Sequence, residues 1–164
     1  MKELMDKLSS YNIFNYLLPG VLFSVLASKM TKLELMQKDL VVGVFVYYFV
    51  GLIISRFGSL TIEPLLKKIK FLKFADYNEF IQASAKDGKI EILSEANNMY
   101  RTFIATFLLL GLMKLYFILA TKWCFLSEWN DWILVILVVG MFLFSYRKQT
   151  NYITKKINNQ KNNQ

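Results

Sequence analysis

Lys67, Lys68, Lys70 and Lys73 are the densest concentration of chemically competent side chains in this chain. Closely spaced ammonium groups suit contact with phosphates, those of a nucleotide or an oligonucleotide. A second reading is a basic amphipathic segment resting on anionic lipid, where each lysine contributes about 1 kcal/mol near the surface. Repetition of the cluster around a symmetry axis would build a positive ring able to focus a polyanion. Little else invites chemistry. Histidine is absent and Cys124 is the single cysteine. A Cys/His zinc site, an intramolecular disulfide and a histidine base are therefore excluded. The acidic residues are scattered, and Asp76 with Glu79 reads as a helix-capping box rather than an acid pair. Gly58 and Gly88 are isolated, so no glycine-rich phosphate loop exists. Neither an enzyme nor a cofactor is expected.

The elements that must position the lysines are apolar. More than half of the residues are hydrophobic, and they gather in runs long enough to approach the ~20 residues that a bilayer core requires. The expected first span is Ile13 to Ser28, kinked at Pro19 and read as a retained membrane helix rather than a signal peptide. The second covers Leu40 to Ser55, with possible continuation to Ser59. The third covers Phe103 to Ala120 and the fourth Trp132 to Tyr146. Trp129, Trp132 and Tyr146 fit interfacial aromatic belts. Lys114 sits at membrane depth, and snorkelling toward the outer interface explains it most simply.

Charge sets the orientation. Of 20 lysines and arginines, those in the N-terminal segment, the centre from Arg56 to Arg101, and the tail far outnumber Lys29, Lys32, Lys38 and Lys122 on the opposite side. The positive-inside rule then places both termini and the centre in the cytoplasm. The expected fold is all-α: four transmembrane helices with a small, mainly helical cytoplasmic domain between helices 2 and 3. Its divisions are 1–59 with helices 1 and 2, a basic domain at 60–98, helices 3 and 4 at 99–148, and a polar tail at 149–164. Within the centre, Ile62, Leu65, Leu66, Ile69 and Leu72 share one helical face, with the lysines on the other. Asp76 is expected to cap a helix toward Ala85, and Ser94-Glu95 to cap the approach to the third span. The tail is expected to fray after Ile157.

Small residues recur at four-residue spacing: Gly20, Ser24 and Ser28 on the first helix, and Gly51, Ser55 and Ser59 on the second. Such spacing permits close helix approach, within one chain, between subunits or along a narrow pore. Asn12 and Asn15 can cap the first helix or line a polar mouth. Arg56 and Glu63 mark the inner boundary and can pair there or anchor the helix.

The segments Tyr11–Gly20 (YNIFNYLLPG) and Ser55–Pro64 (SRFGSLTIEP), with Asn97–Arg101 (NNMYR), resemble small bacterial membrane effectors of antiphage defence. The resemblance is greatest to the transmembrane effector of the Hailong type, with membrane effectors of cyclic-oligonucleotide systems as the neighbouring group. It implies an inner-membrane homo-oligomer, a tetramer by preference, acting as a channel or membrane disruptor. It also implies a partner nucleotidyltransferase that makes an anionic oligonucleotide ligand, which in the Hailong type holds the channel closed. No ligand-binding residue is carried over; the expectation for Lys67, Lys68, Lys70 and Lys73 rests on local charge. The alternative is a membrane anchor or adaptor that recruits a cytoplasmic partner through residues 60–98.

Overall fold

The computed structural model describes residues 12–31, 33–122 and 130–162. Met1–Tyr11, Lys32, Cys124 and Trp129, which figure in the sequence reading, lie outside the described residues. Every described element is helical. A π-turn (Ile13–Leu17) leads into α1 (Leu18–Met30), and α2 (Leu40–Phe57) continues through a second π-turn (Gly58–Ile62) into α3 (Glu63–Lys68). Then come α4 (Tyr77–Lys86), α5 (Lys89–Ala120) and α6 (Asn130–Asn162). Four helical stretches are long and apolar enough to cross a membrane: Ile13–Met30, Leu40–Lys68, Lys89–Ala120 and Asp131–Asn158.

Three of these exceed what crossing requires. Leu40–Lys68 has 29 residues, α5 has 32 and α6 has 33. At 1.5 Å per residue they measure about 44, 48 and 50 Å, against a hydrocarbon core of about 30 Å. The polar surplus lies at the C-terminal end of α3, the N-terminal part of α5 and the C-terminal part of α6, all expected on one side of the bilayer.

This continuity corrects several expected boundaries. The second helix passes residue 59 unbroken, and the helix that contains the third span begins at Lys89. The Asp87 carboxylate accepts from the Lys89 amide at 2.9 Å, so the cap lies there and not at Ser94-Glu95. No residue from Pro64 to Arg101 is buried, so the centre has no core of its own. Much of it is helix extension. α4 does form as expected, with the Asp76 carboxylate accepting from the Asn78 amide at 2.8 Å. The tail is helical through Asn162 as part of α6, not frayed after Ile157.

Both prolines sit two residues beyond a π-turn: Pro19 after Ile13–Leu17, and Pro64 after Gly58–Ile62. Inside an α-helix, proline removes a donor and its ring crowds the carbonyl four residues back. A widened turn relieves that conflict and lets each helix continue.

The core lies where α1, α2 and α5 meet. Ile54, Ile62 and Ala105 are its buried centre, with Phe23, Val50, Phe57 and Leu109 packed around them. α1 and α2 approach so closely that only glycine fits. A Cβ on Gly20 would overlap the Tyr47 carbonyl oxygen, and one on Gly51 would overlap that of Tyr16. Without a hydrophobic force between helices in lipid, such backbone approach is a main source of association. α6 lies outside this core. It joins α2 through a stacked pair, Phe49 and Phe142 (centroids 6.2 Å apart), and α4 through Tyr77 and Tyr152 (5.3 Å).

Candidate functional site at the polar end of the helices

Two polar layers follow one another along the bundle where the helices leave their apolar stretches. The first is Asn15, Ser55 and Thr102, one residue each from the first π-turn, α2 and α5. The Thr102 hydroxyl lies 2.9 Å from Asn15 Oδ1 and 3.3 Å from Ser55 Oγ, and Asn15 Nδ2 donates to Ser55 Oγ at 3.3 Å. All three residues are buried. Hydrogen bonding meets a requirement that an apolar surrounding makes severe.

The second layer centres on Glu63. Its carboxylate meets Lys67 at 3.1 Å, Arg101 at 2.5 Å and Lys148 at 3.5 Å. Lys148 also donates to the carbonyl and hydroxyl of Ser59, each at 2.8 Å. One acid therefore ties α3, α5 and α6 together. The Glu63 side chain is 11% exposed, Arg101 19%, Lys148 26% and Lys67 43%. The gradient runs from a sheltered acid to a solvated lysine. Arg56 does not pair with Glu63; it faces a cleft against α6 that Ser59 and Lys148 also line.

The second π-turn aligns these layers. Ser55 and Glu63 are eight residues apart, whereas two α-helical turns take 7.2 residues. An i→i+5 turn absorbs one additional residue. Eight residues then make close to two turns, and both side chains face α5 at Thr102 and Arg101.

The lysine cluster divides. Lys67 belongs to the Glu63 group and also lies 4.1 Å from the centre of the Phe74 ring. The helix ends at Lys68, so Lys70 and Lys73 do not extend an amphipathic helical face as expected. The Phe71 amide bonds the Leu66 carbonyl and the Lys70 amide bonds that of Lys67, both at 3.0 Å. This is a Schellman ending, and Lys70 takes its left-handed position at φ 60°. Lys68, Lys70 and Lys73 are exposed and form no ion pair among the described residues. Ile69, Phe71 and Phe74 are exposed beside them.

The other sequence-selected residues divide between the interior and the surface. Gly20, Ser24, Gly51 and Ser55 are buried in the α1–α2–α5 packing. Ser28 accepts a hydrogen bond from the Leu35 amide at 3.2 Å. Asn12 makes no side-chain cap at the start of the first π-turn. Lys114 is exposed on α5.

Sequence reasoning did not single out Thr102, Arg101, Lys148 or Ser59 as a group. A usable signal existed: Glu63 is the only acid between Asp39 and Asp76, beside an apolar run, and a sheltered carboxylate requires cations. Ser145, Lys148, Gln149 and Tyr152 at i, i+3, i+4 and i+7 also mark one polar stripe on α6. Among the described residues no group of acidic or cysteine side chains is arranged to hold a metal ion. Comparison with protein-family models, with curated proteins and with solved structures finds no match.

Proposed function

We propose that this chain is a bacterial inner-membrane effector of antiphage defence, with both termini cytoplasmic, that assembles into a homo-oligomeric ion channel controlled by an anionic oligonucleotide. Release of control would depolarise the cell and arrest growth. The defence role, a tetrameric state and a nucleotidyltransferase that makes the ligand come from the resemblance alone.

The observation that supports ligand control is the surplus of positive charge at one end of the bundle. Glu63 is matched by Lys67, Arg101 and Lys148, while Lys68, Lys70 and Lys73 project from the following turn. Close approach of α1 and α2 leaves no space for ions between them, which fits the proposal that the conducting path is built from several copies. A polyanion that bridges these turns from neighbouring subunits would bias open against closed states. It would do so only by the difference in its affinity for the two.

The test is oligonucleotide binding by Lys68→Glu/Lys70→Glu/Lys73→Glu. Lys67 is left unchanged because it serves Glu63. Binding should weaken, and its dependence on salt should become shallower. Unchanged affinity with unchanged salt dependence would remove the turn from the ligand site.

A second reading is an anchor or adaptor. α4 has no buried residue, and its Tyr77 hydroxyl lies 3.4 Å from the Tyr152 carbonyl oxygen. It thus offers surface to a cytoplasmic partner. Ion flux by the purified protein separates the two readings.

A further inference from the structure

We infer that a cleft between α2 and α6, at the inner membrane boundary, binds the phosphodiester of an anionic phospholipid. The cleft is lined by Arg56, Ser59, Leu60, Ser145, Lys148, Gln149 and Tyr152. It is separate from the exposed turn that carries Lys68, Lys70 and Lys73.

Charge is the first argument. Arg56 and Lys148 both line the cleft, and among the described residues no acidic side chain does. Lys148 shares Glu63 with Arg101 and Lys67, so this carboxylate is already divided among three cations. Arg56 has no ion pair among the described residues. The local balance thus favours one further anion. Basic pockets between spans on the cytoplasmic side are suited to anionic headgroups.

Hydrogen bonding is the second argument. The Ser145 hydroxyl is sheltered from solvent and has no hydrogen-bond partner among the described residues, although its residue lines the cleft. A phosphate oxygen accepts from a hydroxyl and from guanidinium and ammonium groups, with charge-assisted bonds the stronger.

The position of the cleft selects the source. It lies between two spans, and toward the apolar part of the same pair Phe49 stacks on Phe142. A phospholipid can place its phosphate at Arg56 while its acyl chains follow these spans into the bilayer.

The test uses the full chain in phosphatidylcholine nanodiscs containing increasing phosphatidylglycerol, with bound lipid counted by native mass spectrometry. The wild-type protein should retain phosphatidylglycerol in preference to phosphatidylcholine. Arg56→Gln should weaken retention about tenfold or more, as expected for loss of a charge-assisted contact. Ser145→Ala should weaken it less. Arg147→Gln, exposed and outside the cleft, should leave it unchanged. Equal retention by Arg56→Gln and wild type would overturn the assignment, as would equal weakening by Arg147→Gln. Displacement of the lipid by millimolar inorganic phosphate would show a free-phosphate site. Displacement by short single-stranded DNA would assign the cleft to the oligonucleotide. Either result would refute the lipid assignment.

Discussion

Glu63→Gln is the most informative single perturbation because one carboxylate holds three helical segments. The substitution keeps the side chain's shape and removes its charge. Arg101 and Lys148, 19% and 26% exposed, would then share a sheltered space without a counter-ion. Breaking a buried pair by removing one partner costs about 3–5 kcal/mol, whereas an exposed i,i+4 pair contributes about 0.3–0.5 kcal/mol. The cluster lies between these limits, so Glu63→Gln should cost about 2–4 kcal/mol. Lys67→Met removes the 43%-exposed partner and should cost about 0.5 kcal/mol or less. Reversible unfolding in mixed micelles, with increasing dodecyl sulfate and helix content read by circular dichroism, would measure both. A Glu63→Gln/Arg101→Gln double variant should lose less than the sum of the singles, because each single change already breaks the same contact. Equal, small effects of Glu63→Gln and Lys67→Met would refute the idea that the acid braces the bundle.

Other positions give separate expectations. Gly20→Ala and Gly51→Ala should destabilise strongly in the same unfolding assay, since each Cβ meets a backbone carbonyl that cannot move alone. Gly111→Ala and Gly140→Ala, with nothing within 4 Å of the added carbon, should instead stabilise by about 0.5–1 kcal/mol each. Thr102→Val should cost about 1–3 kcal/mol by removing the hydroxyl that joins Asn15 and Ser55. Lys70→Gly should raise the unfolding midpoint, because glycine relieves the left-handed conformation at φ 60°. Insertion of one alanine after Leu60 should turn Glu63 about 100° away from Arg101, because the segment then exceeds two turns by one residue. A cysteine pair at 63 and 101 should then cross-link poorly compared with the same pair in the chain without the insertion.

The helices themselves were legible as apolar runs, and their caps partly so. Asp39 directly precedes the second apolar run, and its carboxylate accepts from the Val42 amide at 2.9 Å. Asp76 caps α4 for the same local reason. What remained hidden depends on distant partners or on irregular helix geometry. Glu63-Pro64 after an apolar run reads as the start of a new element, yet the π-turn at Gly58–Ile62 carries the helix through it. Nothing in a 3.6-residue period announces such a turn. The Glu63 cluster brings Arg101 from 38 residues away, a relation local patterning does not contain. Lys70 misled the periodicity because its charge fits a helical face while its backbone ends the helix. The Asn- and Lys-rich tail resembles a frayed end by composition, but it continues α6, anchored through Lys148 and Tyr152.

The central claim is that an anionic oligonucleotide controls ion movement through an assembly of this chain. Its most direct test is ion flux from liposomes containing purified, inserted protein, measured with and without short single-stranded DNA. Flux that changes with the oligonucleotide, and loses that response in Lys68→Glu/Lys70→Glu/Lys73→Glu, is the predicted result. Absence of flux in both conditions, from protein shown to be folded and inserted, would contradict the channel and favour the anchor.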